Sequence, residues 1–558
     1  MRDTSRGVNP PGLTRVGIWW TLVALVPLAF LAIFFVWPVA TLIGRGLFAD
    51  GRLTLEGFAG VFGSPRTWRV VGTSLSLAVW GTALSVVLGI PGAYVLYRTR
   101  FPGRGALRAF MTIPFVMPTV VAGVAMQALL GEGGPLGFLG LGESFAGIVL
   151  ALVWFNYSVI VRTVGGMWAR LDPRMGEAAR TLGASGTRVM LTITLPSLIP
   201  AIASGAAIVF LFCASAFGVV MIMGGIRFGT IETEIWYLTT QLLDLRSAAA
   251  LSVVQLVVVT ASLYVANDMQ VRQRRALKLR TDESGLRRWR ARSDLGASVV
   301  TGLVIGGLLA APLVTLVVRS LRVGGRWGFD HYTGLASARA LTVPVTHAIR
   351  NSLVLGAQAA VLAVSLGLMV SFVLSRRPRS RRGRSWLRAL DSAFMLPLGV
   401  SAVTVGFGFL ITLNRPPLDL RSSMALIPIA QAMVALPMVV RSLLPVLRAI
   451  DPRQKEAAAT LGAGPGRVLA TIDGPYVLRG LGLAVGFALA TSLGEFGATS
   501  FLSRADSPTL PVMIFTLIGR PGADNYGMAM AASVVLAVLT GVIMAMAERL
   551  RPKEATGW

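Results

Sequence analysis

The sequence predicts an all-α polytopic membrane protein, with about twelve transmembrane helices arranged as two tandem six-helix halves. Three observations carry this. The 558 residues have a mean hydropathy of +0.70 and only 14% charged residues, whereas about a quarter of a soluble domain is charged. Apolar runs of about 20 residues, the length that crosses the hydrocarbon core, recur along the chain. A polar stretch of 25 residues, from Asp172 to Pro196, returns from Asp451 to Pro475 with 15 identities and a constant displacement of 279.

In order, the apolar runs are 17–42, 72–97, 110–130, 145–167, 198–223, 248–266, 295–318, 351–374, 393–413, 424–447, 478–501 and 526–547. The first is too long for the apolar core of a cleaved signal and has no clear small-residue cleavage site, so it reads as a first membrane helix. Gly and Pro recur within the runs, as membrane helices tolerate. The third and ninth are the least regular, carrying Pro114 and Pro118 in one and Pro397 in the other.

A net charge of +27 opens a nucleic-acid reading, which the placement of the charges disfavours. With the N-terminus inside and twelve spans, both termini are cytoplasmic and most Lys and Arg fall in cytoplasmic segments, as the positive-inside rule requires. The densest clusters, Arg272 to Arg292 and Arg376 to Arg388, are expected on that face against anionic lipid headgroups. Arg162 and Arg441 lie near the inner ends of two spans and are expected to snorkel. Cys213 is the single cysteine, so no internal disulfide forms. His331 and His347 have no cysteine near them, and no metal site is expected.

The displacement extends beyond the insert. Arg162 matches Arg441, Phe217-Gly218 matches Phe496-Gly497, and Thr230 and Ile235 match Thr509 and Ile514; "TSL" at 73–75 matches "NSL" at 351–353 with a shift of 278. Six spans per half give both copies the same orientation, a parallel repeat about an axis along the membrane normal. The expected division is 1–266 for the first half, 267–293 for a basic cytoplasmic linker and 294–558 for the second half.

The insert is built for exposure. Asp172 and Pro173 suit a helix start, Gly176 to Leu182 is a short helix, and Gly183 ends it; Asp451, Pro452, Glu456, Ala457, Ala458, Leu461 and Gly462 repeat the plan. An interfacial loop would explain one copy. Two copies point to one surface requirement met twice, such as two identical docking partners.

This pattern resembles the Glu-Ala-Ala loop of bacterial ABC importer permeases, the binding-protein-dependent transport system inner membrane components. The matching residues are Glu177, Ala178, Ala179, Gly183, Ile193, Leu195 and Pro196, then Glu456, Ala457, Ala458, Gly462, Ile472 and Pro475; Gly474 stands where the family has Leu. The resemblance implies two tandem type I permease domains with coupling loops at 172–196 and 451–475, two copies of an ABC ATPase subunit, an extracytoplasmic solute-binding protein and a bacterial cell membrane location. The fused six-plus-six arrangement resembles the permeases for thiamine and ferric iron; "TSLGEFGATSFL" at 491–502 resembles a signature they share with molybdate and sulfate permeases, and "FCASAFGVVMIMGG" at 212–225 is similar to the thiamine branch, which implies thiamine, ferric iron or another small solute.

The three lysines, Lys278, Lys455 and Lys553, follow Leu277, Gln454 and Pro552, so no Gly-Lys pair supports a P-loop. The chain is therefore expected to be no enzyme, to have no catalytic residues and bind no cofactor, and to rely on ATP used by a partner. Glu495, in the eleventh run, is a pathway candidate because a carboxylate in a span is costly; its counterpart is Ala216. Glu232, Glu234 and Asp244 fall in an outer segment, where they read as solvated surface acids or as contacts for a cationic solute or the binding protein. The alternative is an ion-gradient-driven secondary transporter, whose signature would be buried acids paired across the repeats. A membrane enzyme would need clustered His, Cys or carboxylates in the spans.

Overall fold

The computed structural model describes residues 23–550 except 50–51, 54–55, 225–226, 277–285, 338–341, 377–379, 416–417 and 421–422. The expected cytoplasmic termini and the middle of the basic linker thus lie outside the described residues.

The first half contributes α1 (Val23–Leu47), α2 (Pro65–Arg98), α3 (Arg104–Val116), α4 (Thr119–Leu130), α5 (Phe145–Arg170), α6 (Arg174–Thr181), α7 (Gly186–Ala214), α8 (Gly218–Met223), α9 (Ile231–Thr240) and α10 (Leu245–Ala276). The second contributes α11 (Ser293–Ser320), α12 (Val345–Leu374), α13 (Arg381–Met395), α14 (Ala402–Thr412), α15 (Leu426–Arg448), α16 (Pro452–Thr460), α17 (Gly466–Gly494), α18 (Thr499–Leu502), α19 (Leu510–Ile518) and α20 (Ala523–Arg549). Strands among the described residues are two-residue ladders only, such as Thr99–Arg100 parallel to Arg287–Arg288. The protein is all-α and polytopic.

Twelve crossings were expected; among the described residues ten helices are long and apolar enough, or eleven if one bent pair is counted. The two shortfalls are the third and ninth runs, and proline is the cause. The chain bends by 105° between α3 and α4, at Pro118, where the missing N–H and ring sterics end a helix. Pro397, its equivalent, lies in a 3-10 turn (Leu396–Gly399) that separates α13 from α14. The 11 residues of α14 reach only about 16 Å at 1.5 Å per residue, half the hydrocarbon thickness of about 30 Å. α13 is amphipathic: Arg381, Arg382, Arg384 and Arg388 are exposed while Leu390 and Phe394 are buried.

Each half has the same kernel. α2 packs on α5 and α7, and α12 packs on α15 and α17. Glycine permits the approach at equivalent points: a Cβ on Gly89 would lie 2.6 Å from Ile160 Cγ2, and one on Gly367 would lie 2.5 Å from Val439 Cγ1. The serines of the "TSL" and "NSL" matches act alike. Ser74 Oγ accepts from the Ile231 N–H at 2.8 Å and Ser352 Oγ from the Leu510 N–H at 2.7 Å, satisfying the otherwise orphaned first turns of α9 and α19.

The first helix of each half lies against the other half. Phe30, Leu31 and Phe35 of α1 share a core with Leu366, Val370, Leu390, Phe394 and Met433. α11 packs along α2 and α4, and the Trp154 indole N–H donates to the Leu309 carbonyl at 3.2 Å. Arg45 on α1 donates to the Ile411 carbonyl in the last turn of α14 (3.4 Å), and Arg319 on α11 to the Ala128 carbonyl in the last turn of α4 (3.0 Å). Both place a cation at the negative end of a helix dipole.

Candidate functional site: two exposed helix–turn knobs and a buried junction between the halves

The repeated insert folds the same way twice. Asp172 Oδ1 accepts from the Arg174 N–H and Asp451 Oδ1 from the Arg453 N–H, each at 3.0 Å. Thr181 and Thr460 donate to the carbonyls of Ala178 and Ala457, each at 2.7 Å. Both helices close in a Schellman turn: Ala184 N–H returns to the Ala179 carbonyl at 3.0 Å and Ala463 N–H to the Ala458 carbonyl at 2.9 Å. The turn needs left-handed backbone, which Gly183 (φ +86°) and Gly462 (φ +81°) supply. No atom lies within 4 Å of a Cβ added at either glycine.

Glu177, Ala178, Gly183 and Pro196 are exposed, as are Glu456, Ala457, Gly462 and Pro475; Ala179 and Ala458 are half-buried. Between them stand Leu182, 89% exposed, and Leu461, 88% exposed. The knobs differ behind their exposed faces. Lys455 Nζ pairs with the buried Asp473 Oδ1 at 2.6 Å, positions filled in the first copy by Gly176 and Thr194.

At the junction between the halves, equivalent residues touch each other. The Phe217 and Phe496 rings stack with centroids 5.2 Å apart, and Trp236 meets Phe515 edge-on at 5.9 Å. Each pair is separated by 279 residues. Residues meet their own counterparts only on a two-fold axis, so these rings mark the pseudo-axis. Phe496 and Phe515, 5.5 Å apart, join the pairs into one cluster of four rings.

The pathway candidate Glu495 is buried beside this axis. Its oxygens accept from the Ala498 N–H at 2.7 Å and the Thr499 N–H at 2.9 Å, so the carboxylate caps α18. Glu232 and Glu234, expected to be solvated, are buried instead. Glu234 receives two bonds from Arg66, at 2.7 and 3.0 Å. Glu232 is fully buried and accepts from Gln255 Nε2 at 2.6 Å and from Ser401 Oγ of the other half at 2.5 Å. Nothing in the local sequence marks Glu232 as buried, because its partners lie 23 and 169 residues away. Asp244 caps α10 by accepting from the Ser247 N–H at 3.0 Å. Arg287, expected against lipid, instead bonds Tyr94 and the buried Asp294.

Residues 81–275 match the family described as binding-protein-dependent transport system inner membrane component. The thiamine transport system permease protein of Brucella abortus (strain 2308) is 28% identical over 535 residues, covering 92% of this chain and 93% of its own length. That of Escherichia coli (strain K12) is 26% identical over 498 residues, covering 87% and 89%. The ferric transport system permease protein of Actinobacillus pleuropneumoniae is 24% identical over 550 residues, covering 93% and 77%.

Proposed function

We propose that this chain, an ABC importer permease of the binding-protein-dependent, two-half type, forms the whole membrane pathway for a small solute, with thiamine the first candidate. The observation that carries the reading is the pair of knobs at 172–196 and 451–475, built from the same hydrogen bonds and exposed in both copies. Two like knobs call for two like partners, so each receives one copy of an ABC ATPase subunit, whose ATP supplies the energy.

In this reading the knobs, both termini and the basic linker 267–293 lie in the cytoplasm. An extracytoplasmic binding protein delivers solute to the opposite face. Closure of the ATPases moves the knobs, and the halves 1–266 and 294–558 rock about the axis marked by Phe217 and Phe496. The arginine-bearing face of α13 and its exposed Trp386 rest on anionic lipid headgroups. Similarity to thiamine permeases along most of the chain supports thiamine; the ferric relative supports iron as the second solute to test.

The test is ATP-dependent uptake in vesicles that hold the chain with its ATPase and binding protein, offered labelled thiamine and ferric iron separately. Gly183→Asp with Gly462→Asp is expected to abolish uptake and leave the protein in the membrane. A Cβ meets no neighbour at either site, and the left-handed backbone adds only about 1–2 kcal/mol of strain per position. Uptake that survives without the ATPase and collapses with the proton gradient would overturn the reading in favour of a secondary transporter.

A further inference from the structure

A carboxylate buried in a membrane bundle is expensive and needs a partner. Glu232 is fully buried, yet its partners are a neutral amide and a neutral hydroxyl, with no cation among them. Glu495, also buried, is bonded by backbone amides. The sequence repeat did not demand Glu232, whose equivalent is Pro511, nor Gln255, whose equivalent is Val534. An acid this costly, present in one half only, calls for something that the symmetric scaffold does not supply.

The surroundings indicate what that is. Gln255 is 1% exposed and its Oε1 has no partner while its Nε2 holds Glu232. Thr404, one turn along α14 from Ser401, is buried with Oγ1 unpartnered. Trp236, one turn along α9 from Glu232, has an unpartnered Nε1 and joins the four-ring cluster. Each orphaned buried polar atom carries a cost of about 1–3 kcal/mol. A carboxylate with two unpartnered oxygens, Gln255 Oε1 and Thr404 Oγ1, on elements that also carry the ring cluster suits a cation carried on a flat ring.

We propose that Glu232, with Gln255, Thr404 and the rings of Trp236, Phe515, Phe496 and Phe217, forms a transient site for a ring-bearing organic cation at the junction of the halves. The site is closed here by the Ser401–Glu232 bond and the Phe217–Phe496 stack, both of which span the halves. Separation of the halves removes Ser401 from the carboxylate and frees it for the solute. This assignment rests on the permease reading and deepens it by naming the charge of the solute and the residue that selects it.

The experiment uses the complete complex in vesicles with labelled thiamine, and its uncharged analogue in which a thiophene replaces the cationic ring. Glu232→Gln is expected to reduce thiamine uptake about tenfold or more, the scale of removing one partner of a desolvated charge pair. It should also lower the thiamine-to-analogue uptake ratio. Glu232→Asp should restore most of the uptake and the ratio; Ser401→Ala should keep both. A packing role alone would lower uptake of both compounds together and leave the ratio fixed, which would overturn the proposal. Equal uptake by wild type and Glu232→Gln would overturn it while leaving the permease reading standing. A wild-type complex that takes up neither compound under ATP would remove the thiamine reading and this site with it.

Discussion

Ser74 and Ser352 show how much a single hydroxyl can do in this fold. Each holds the first free N–H of a short helix beside the junction of the halves, at 2.8 and 2.7 Å. Ser352→Ala leaves the Leu510 N–H buried without a partner. The expected loss is about 1–3 kcal/mol, read as a lower unfolding temperature in detergent, with Ser352→Thr milder if its hydroxyl still reaches. The knob residues were legible in the sequence, because a capped helix ending at a glycine is decided by neighbours in the chain. The cost and partner of Glu232 were not, because Ser401 arrives from the other half. Glu495 was legible as a buried acid but not as a helix cap, since the α18 amides that hold it belong to a turn too short to leave a periodic pattern.

Among the elements, the third segment of each half departs most from a simple hydropathy reading. Its apolar run is long enough to cross, but proline divides it into a surface piece and a short buried piece. The equivalent prolines, Pro118 and Pro397, were visible beforehand as the weakest parts of the pattern; the 105° bend was not, because proline ends a helix without dictating the direction in which the chain leaves. Once broken, each short helix presents a free carbonyl end in the bundle, which Arg45 or Arg319 occupies. Arg319→Met should weaken that capping by about 0.3–1 kcal/mol, rising to about 2 kcal/mol in a buried setting. Gly367→Leu addresses the kernel instead. With Val439 already at the contact limit, overpacking of α12 on α15 should cost about 1–3 kcal/mol, and thermal unfolding of the purified protein in detergent would measure it.

For the molecule as a whole, the repeat predicted two like-oriented halves but not that they exchange their first helices. That exchange leaves no periodic trace, since α1 and α11 are as apolar as helices that stay at home. It makes the halves interdependent: 1–280 and 281–558 expressed as separate chains are expected to assemble when made together, because the break falls at the linker and the contacts between halves persist. Each expressed alone should be degraded or aggregate, since each then lacks the helix that covers its α4 or α14. Co-purification of one fragment on a tag carried by the other measures this, and a second half that is stable alone would contradict it.

The exchange also sets a clock on synthesis. α1 is made early, yet the surface that Phe30, Leu31 and Phe35 pack on begins with α12, roughly 300 residues later, or roughly 15–60 s at about 5–20 residues per second. During that interval Phe30, Leu31 and Phe35 have only lipid and the nascent first half for company. The first half of α1 therefore stands to gain from an insertase or a chaperone that holds it at the translocon until α12 has been made.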